Sequence, residues 1–307
     1  MEKAARKKAK RIKLSSASVT VIILLIFLSV YALSLLYMYF WGLLTSLKLN
    51  AEFRTNLYGL PKGWPWEWSF SNYSWAFNNM AVTFYKNNVR VDVYLAGMLK
   101  NSVLYALISP FVGLSVTWLI AYIIATFPKK FMSKFVFRLN IVLMMVPIIG
   151  SLPSALQLYK AIGIYDTWFY LVFVGLGAFI GGNLIIFHTY IGTVAKELRE
   201  AASIDGAGNL QIMLRVVFPL TAKMYGILFL LGFIACWNDY MTMLIWLPSK
   251  PTIAFGIYKV SATTTTDGSW PPPQIAGCML LALPMLAVFL VFKDKIIGQV
   301  TMGALKG

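Results

Sequence analysis

The stretch EAASIDGAGNLQIMLRVVFP, Glu200 to Pro219, decides how this chain is read. It is polar and mildly charged, and it lies between two long apolar runs. Asp205-Gly206 breaks a helix, because Gly tolerates positive φ and Asp can bond its own backbone. Upstream, Val194, Leu198, Ala201 and Ala202 alternate at helical spacing with Lys196, Glu197 and Arg199. Downstream, Ile212, Val216 and Pro219 recur on one side of a second short helix, with Leu210, Met213 and Val217 close by. Pro219 is expected to end that helix or open the next. The pattern predicts a helix–turn–helix bracket outside a bilayer, a form that an ordinary amphipathic loop between spans also takes.

The bilayer itself follows from composition. Hydrophobic residues make up 59% of the 307 and charged ones 12%, whereas a soluble domain carries about 25% charged residues. A span needs about 20 largely apolar residues, and six stretches qualify: 14–47, 101–127, 139–159, 167–195, 224–247 and 274–292. The expected fold class is therefore an all-α polytopic membrane protein with six transmembrane helices. Basic residues set its orientation. With both termini inside, the inner segments hold 18 of the 27 Lys and Arg. Six of the remaining bases fall in the long stretch from Lys48 to Lys100, and long loops weigh little in this rule.

The expected layout is a basic cytoplasmic N-terminus (1–13), a six-span membrane domain (14–292) and a cytoplasmic tail (293–307). Within the domain fall outer loops at 44–100 and 248–273 and the inner bracket at 192–223. The N-terminal run MEKAARKKAKRIK is followed by an apolar core too long for a signal peptide, without a small-residue cleavage site. It reads as a juxtamembrane segment drawn to anionic lipid headgroups, not as a nucleic-acid site. Cys236 and Cys278 both fall in predicted spans, so no disulfide framework is indicated.

Pro147 and Pro153 predict a kink or unwinding in the third span. Gly175, Gly177, Gly181 and Gly182 permit close packing of the fourth. The first outer loop is rich in Trp and Tyr, as an interfacial belt is, and such rings also stack on sugars or a partner protein. The last outer loop, with its Thr run, Asp267-Gly268 and three prolines, is predicted to be a polar hairpin-like element. Polar groups inside spans mark candidates for a translocation path: Gln157, Asn183, Trp237, Asn238 and Asp239. Asp239 and its neighbours equally suit a helix-end anchor. His188 is the chain's single histidine and makes no metal site alone. There is no phosphate loop and no catalytic motif, so ATP chemistry is not expected on this chain.

The Glu200–Pro219 segment resembles the EAA loop of ABC-importer permeases, written E-A-A-x3-G-x9-I-x-L-P. Glu200, Ala201, Ala202, Gly206 and Pro219 match; Asp205 and Ala207 complete the usual form, and Val216 and Phe218 replace Ile and Leu. The wider chain is similar to carbohydrate-uptake permeases typified by the smaller membrane subunit of the maltose importer. Asn101-Ser102, Trp237-Asn238-Asp239 and the Gly303-Ala304-Leu305-Lys306-Gly307 ending fall in that group's order. The resemblance implies the type I ABC importer permease fold, with the EAA segment as a coupling helix seated on an ATPase. It also implies a tail near that ATPase, involving Gly303, Lys306 and Gly307. Implied partners are a second permease in a heterodimer, two ATPase subunits carrying ATP and Mg, an extracellular substrate-binding protein and a carbohydrate. The last outer loop would reach into that binding protein. The location implied is a prokaryotic cytoplasmic membrane, with no cofactor on this chain. A permease for a non-sugar solute, a self-sufficient secondary transporter and a membrane-embedded enzyme are the other classes.

Overall fold

The computed structural model describes residues 16–86, 88–146, 150–194, 196–267 and 271–304. The chain enters through α1 (Ser16–Ser46), an apolar helix without charge from end to end. Its flank meets the last helix where Gly42 lies against Met279. A cap follows: α2 (Asn50–Thr55), a 3-10 turn (Pro65–Glu67), α3 (Ser71–Asn79) and an antiparallel hairpin of β1 (Ala81–Lys86) and β2 (Val89–Tyr94). Polar side chains hold the cap to the end of α1. Asn72 Nδ2 donates to the Ser46 and Lys48 carbonyls, and the wholly buried Lys48 donates to the carbonyls of Asn56 and Leu57.

From the hairpin the chain turns into α4 (Leu95–Thr126), the central helix of the molecule. The third predicted span is two helices, α5 (Phe131–Met145) and α6 (Leu152–Ala161), and Pro153 opens the second of these. Pro147 lies outside the described residues. The fourth is also two, α7 (Phe169–Leu176) and α8 (Gly182–Gly192), separated at the glycines. The bracket comprises α9 (Lys196–Ile204) and α10 (Asn209–Gln211). A π turn over Ile212–Val217 then leads into α11 (Phe218–Asn238), α12 (Met241–Trp246), α13 (Ile253–Asp267) and α14 (Pro271–Ala304).

Among the described residues four helical stretches are each long and apolar enough to cross a membrane in one piece: Val19–Ser46, Leu95–Thr126, Asn209–Asn238 and Pro271–Val288. The other two predicted spans have the length but are broken by proline and glycine. The expected outer hairpin at 248–273 is instead helix α13, started by Thr252, whose Oγ1 accepts the Phe255 N–H. A Thr-rich run is no barrier to a helix once its start is capped. The last helix also continues through Ala304, into the residues expected to form a separate tail.

In lipid, apolar contact between helices gains little, so close approach at small residues and interhelical hydrogen bonds decide packing. Both operate on α4. A Cβ added at Gly232 of α11 would lie 2.8 Å from Pro110, and one at Gly175 of α7 would lie 2.7 Å from Val112. The Trp118 indole donates to Thr221 Oγ1 at 3.0 Å, and Ser115 shares a hydrogen bond with the Tyr225 hydroxyl at 2.8 Å. An inner cluster (Leu114, Trp118, Phe187, Ile191, Val217) and an outer one (Met98, Tyr105, Leu171, Met243, Leu247) fill the spaces between these contacts.

Candidate functional site

The predicted bracket is present, and its turn is fully determined by its own backbone. The Gly206 N–H donates to the Ser203 carbonyl and the Ala207 N–H to the Ala202 carbonyl, with Gly206 at φ 81°. That is the Schellman way of ending a helix, and a residue with a Cβ resists it. The next helix starts where the Gln211 side chain accepts the Gly208 N–H. Ala202 and Ala207 turn toward the inner cluster. Ala201, Ser203, Asp205 and Gly206 are exposed, and the apolar Ile204 at the tip is 86% exposed. Glu200 accepts an ion pair from Lys196 at 2.6 Å, one turn away on an exposed face. The carboxylate beside it raises the Lys196 pKa.

Two devices join the bracket to the membrane helices. Arg199 Nη1 donates to Thr126 Oγ1 at the C-terminal end of α4, at 3.4 Å. At the other end, Pro219 sits in the first turn of α11 and neither ends a helix nor starts a separate one. It has no N–H for the Arg215 carbonyl, and its ring would press on that carbonyl in a regular helix. The π turn before it widens the coil, with the Phe218 N–H reaching back to the Met213 carbonyl. Such turns are rare and absorb this kind of insertion without breaking the helix. The second arm of the bracket and the fifth span are consequently one continuous rod, Asn209–Asn238.

The candidate path residues do not converge. Gln157 on α6, Asn183 at the start of α8 and Asn238 at the end of α11 are exposed on the single chain. Trp237 is 2% exposed and ties α11 to α14 by donating to the Leu281 carbonyl. Asp239 accepts the Tyr105 hydroxyl at 2.7 Å and the Thr242 N–H at 3.2 Å, capping the start of α12. Asn101-Ser102 has a plain structural use: Asn101 donates to the Pro251 carbonyl and Ser102 Oγ accepts the Ile253 N–H, fastening α13 to α4. His188 packs against the Phe137 ring at 4.7 Å. Gly303 lies in the last turn of α14, and Lys306 and Gly307 fall outside the described residues.

Sequence reading missed Asn140 and Thr117. At the break in the fourth span Gly181 adopts φ 149°, ψ −178°, a region open essentially to glycine alone. Asn140, 1% exposed, closes on it from α5: Oδ1 accepts the Gly181 N–H at 2.7 Å and Nδ2 donates to its carbonyl at 3.3 Å. Thr117 of α4 donates toward the Ala178 carbonyl at 3.2 Å. Backbone groups freed inside a membrane must find partners within the protein, and these two side chains supply them. Asn140 stands two residues after Arg138, at the edge of the apolar run, where a polar residue gives little signal.

A family profile described as "binding-protein-dependent transport system inner membrane component" matches residues 117–297, which include the bracket, the π turn and the broken span. The chain belongs to this family. The family is a transport permease and not an enzyme. Among curated relatives, the maltodextrin transport system permease protein MdxG of Bacillus subtilis is 31% identical over 174 residues, 54% of this chain and 60% of that protein. The alignment with the Escherichia coli inner membrane ABC transporter permease protein YcjP is longer, at 26% identity over 91% of this permease and 94% of the relative. The melibiose/raffinose/stachyose import permease protein MelC of B. subtilis is 30% identical over 62% of this chain and 68% of its own length. Among solved structures, a bacterial ABC transporter involved in the import of the acidic polysaccharide alginate superposes with a TM-score of 0.68 at 20% identity, covering 91% of this permease and 98% of that chain. The permease has the ABC importer permease fold.

Proposed function

We propose that this chain is one permease subunit of a binding-protein-dependent ABC importer for carbohydrate, with an oligosaccharide as substrate. The observation that carries the proposal is the rod from Asn209 to Asn238, which runs on into α11 directly after the self-closed Gly206 turn and its exposed Ile204. A rigid joint of this kind passes on displacement instead of absorbing it. The named sugar permeases among the relatives supply the substrate class.

In this reading the protein lies in the cytoplasmic membrane of a prokaryote with both termini inside. It crosses six times, the third crossing being α5–α6 and the fourth α7–α8. Glu200, Ala201, Ala202, Asp205, Gly206, Ala207 and Pro219 form the coupling element against an ATPase subunit. Gly303, Lys306 and Gly307 approach the same subunit, which holds ATP and Mg. A second, different permease covers the exposed faces bearing Gln157, Asn183 and Asn238, and the path runs between the two chains. Trp237 and Asp239 hold the wall of that path in shape. An extracellular binding protein delivers the sugar over the cap.

Affinity purification from native membranes tests the reading. Intact chain is expected to bring down an ATPase and a second permease, while a chain disrupted over 200–207 loses the ATPase and keeps the permease. Recovery of the chain alone in both samples would sink the proposal in favour of a self-sufficient transporter.

A further inference from the structure

The elbow between α4 and α5 carries positive charge that no acid answers among the described residues. From Val93 to Tyr165 the sequence has no Asp or Glu, yet Lys129, Lys130, Lys134 and Arg138 fall within ten residues. All four are exposed, and neither ion pair among the described residues involves them. Arg199 of the bracket, reaching Thr126 just before the elbow, adds a fifth cation. Of the bracket's acids, Glu200 is engaged by Lys196, and Glu197 and Asp205 are exposed with no side-chain bond to the elbow. The cations are also ordered. Lys134 and Arg138 stand one turn apart on a face of α5, and Lys130 precedes them by the same four residues at the helix start. Side chains at this spacing are neighbours, and like charges there repel. An anion seated among them reverses the sign. Beside this ridge runs an apolar one, Phe131, Phe135 and Leu139, also exposed, with the rings of Phe131 and Phe135 stacked at 6.1 Å. Exposed apolar surface continues along the same helix through Val142 and Met145. The opposite face is packed: Asn140 holds Gly181, and Val136 and Phe137 lie against the inner cluster.

The two ridges together select the partner. A soluble acidic surface would cover the cations but leave Phe131, 77% exposed, and the apolar line beyond it in water. Uncharged lipid would suit the apolar ridge and leave the cations unanswered. A phospholipid with an anionic headgroup satisfies both, its phosphate meeting Lys134 and Arg138 while an acyl chain lies along Phe135 and Val142. We propose that the α4–α5 elbow is a binding site for an anionic phospholipid, in the cytoplasmic leaflet by the topology proposed above. The site rests on that reading for its leaflet and for the assembled transporter. Because Thr126 ties the elbow to Arg199, the lipid sits beside the joint between the bracket and the membrane helices.

The test uses the transporter assembled with its partner subunits and purified in detergent. Dioleoyl-phosphatidylglycerol and dioleoyl-phosphatidylcholine are titrated in, and bound lipid is followed by native mass spectrometry. Saturable binding of phosphatidylglycerol at a preferred site is expected, with phosphatidylcholine unable to replace it. Each Lys or Arg near the headgroups contributes about five-fold in affinity, so Lys134→Gln with Arg138→Gln should weaken this binding about 25-fold. That variant should melt no lower than the parent, because it removes a repulsion. An unchanged titration overturns the site. Lys7→Gln with Lys8→Gln takes the same charge from the N-terminal run and should leave the preferred binding as it was; an equal loss there would reduce the site to diffuse attraction and overturn it. Displacement of the lipid by free glycerophosphoglycerol, a headgroup without chains, would overturn it too. So would loss of the ATPase or the second permease from the Lys134→Gln/Arg138→Gln complex, which would make the ridge a protein contact. Uptake is measured separately. Sugar import with no preferred lipid removes only this inference, while a chain recovered alone removes the function proposed above and leaves the titration to decide this one.

Discussion

Gly181, which opens α8 at the break in the fourth span, and Gly206, which closes α9 on the bracket surface, both take conformations that favour glycine, and they are held by opposite means. The Gly206 turn closes itself with two backbone hydrogen bonds from within six residues of chain. The Gly181 break is closed by Asn140, 41 residues away, and its neighbour Ala178 by Thr117, 61 residues away. Water accounts for the difference. At a surface, groups left over by a turn are solvated, so local bonds suffice. Inside a membrane every freed N–H and C=O needs a protein partner, and two neighbouring helices must provide it. The first kind of break can move as a unit; the second is a joint that locks three helices together.

The largest effect should come from removing the remote stitch. Asn140→Ala leaves the Gly181 N–H without a partner, at about 1–3 kcal/mol for a buried group, while the Gly181 carbonyl loses the amide but keeps the Leu184 N–H at 3.3 Å. The purified protein should melt well below the parent, and Asn140→Leu should do no better, since volume is not what is lost. A melting point unchanged in both would mean that the break is solvated like the surface turn, and the contrast would vanish.

Gly206→Val comes next, with a different outcome. Nothing lies within 4 Å of a Cβ added there, so the cost is conformational alone, about 1–2 kcal/mol for a left-handed residue. Folding should survive because the turn lies outside the packed core. The expected result is impaired uptake with chain abundance unchanged. Gly206→Asn, which tolerates the left-handed region better, should retain more uptake than the Val variant. Equal and normal uptake in both would show that the turn angle does not matter to coupling.

These two sites also show what the sequence can and cannot reveal. The bracket was readable because its cause is local: Asp205-Gly206, the helical spacing around it and the six-residue closure lie in one window. The broken fourth span was half readable. Its glycines suggested close packing, which Gly175 against Val112 bears out, but not a gap, because the stabilising Asn140 sits in another helix. The same reason hid α13: its start depends on Asn101 and Ser102, about 150 residues earlier, holding the backbone of Pro251 and Ile253. Pro219 misled in the opposite way. Proline normally marks a boundary, and only the π turn before it lets the helix run on.

A smaller change refines the stitched break. Thr117→Val keeps shape and removes the hydroxyl. Gly113 keeps the helical N–H that any carbonyl in α4 has, so only the Ala178 carbonyl loses a partner. A loss of about 1 kcal/mol is expected, visible as a modest drop in melting temperature. The double variant with Asn140→Ala should fall by less than the sum if the two side chains hold one joint, because the first loss already opens it, and by the sum if they act separately.

The smallest structural effect is expected at Glu200, and that is why its functional effect is informative. Its ion pair with Lys196 is exposed at both ends, and exposed pairs contribute little that can be measured. The Lys196 pKa is raised, so the pair's contribution is complete below the ordinary lysine value of about 10.4 and is lost only as pH rises through the higher folded value. Between roughly pH 6 and 9 the bracket should therefore show no pH-dependent loss from Lys196. Glu200→Gln should likewise leave melting temperature and abundance at the parent level. Whatever uptake or ATPase binding it loses cannot then be charged to folding and must come from a surface on another subunit. If Glu200→Gln transports normally, the carboxylate faces only solvent, and the docking surface shrinks to the apolar tip around Ile204.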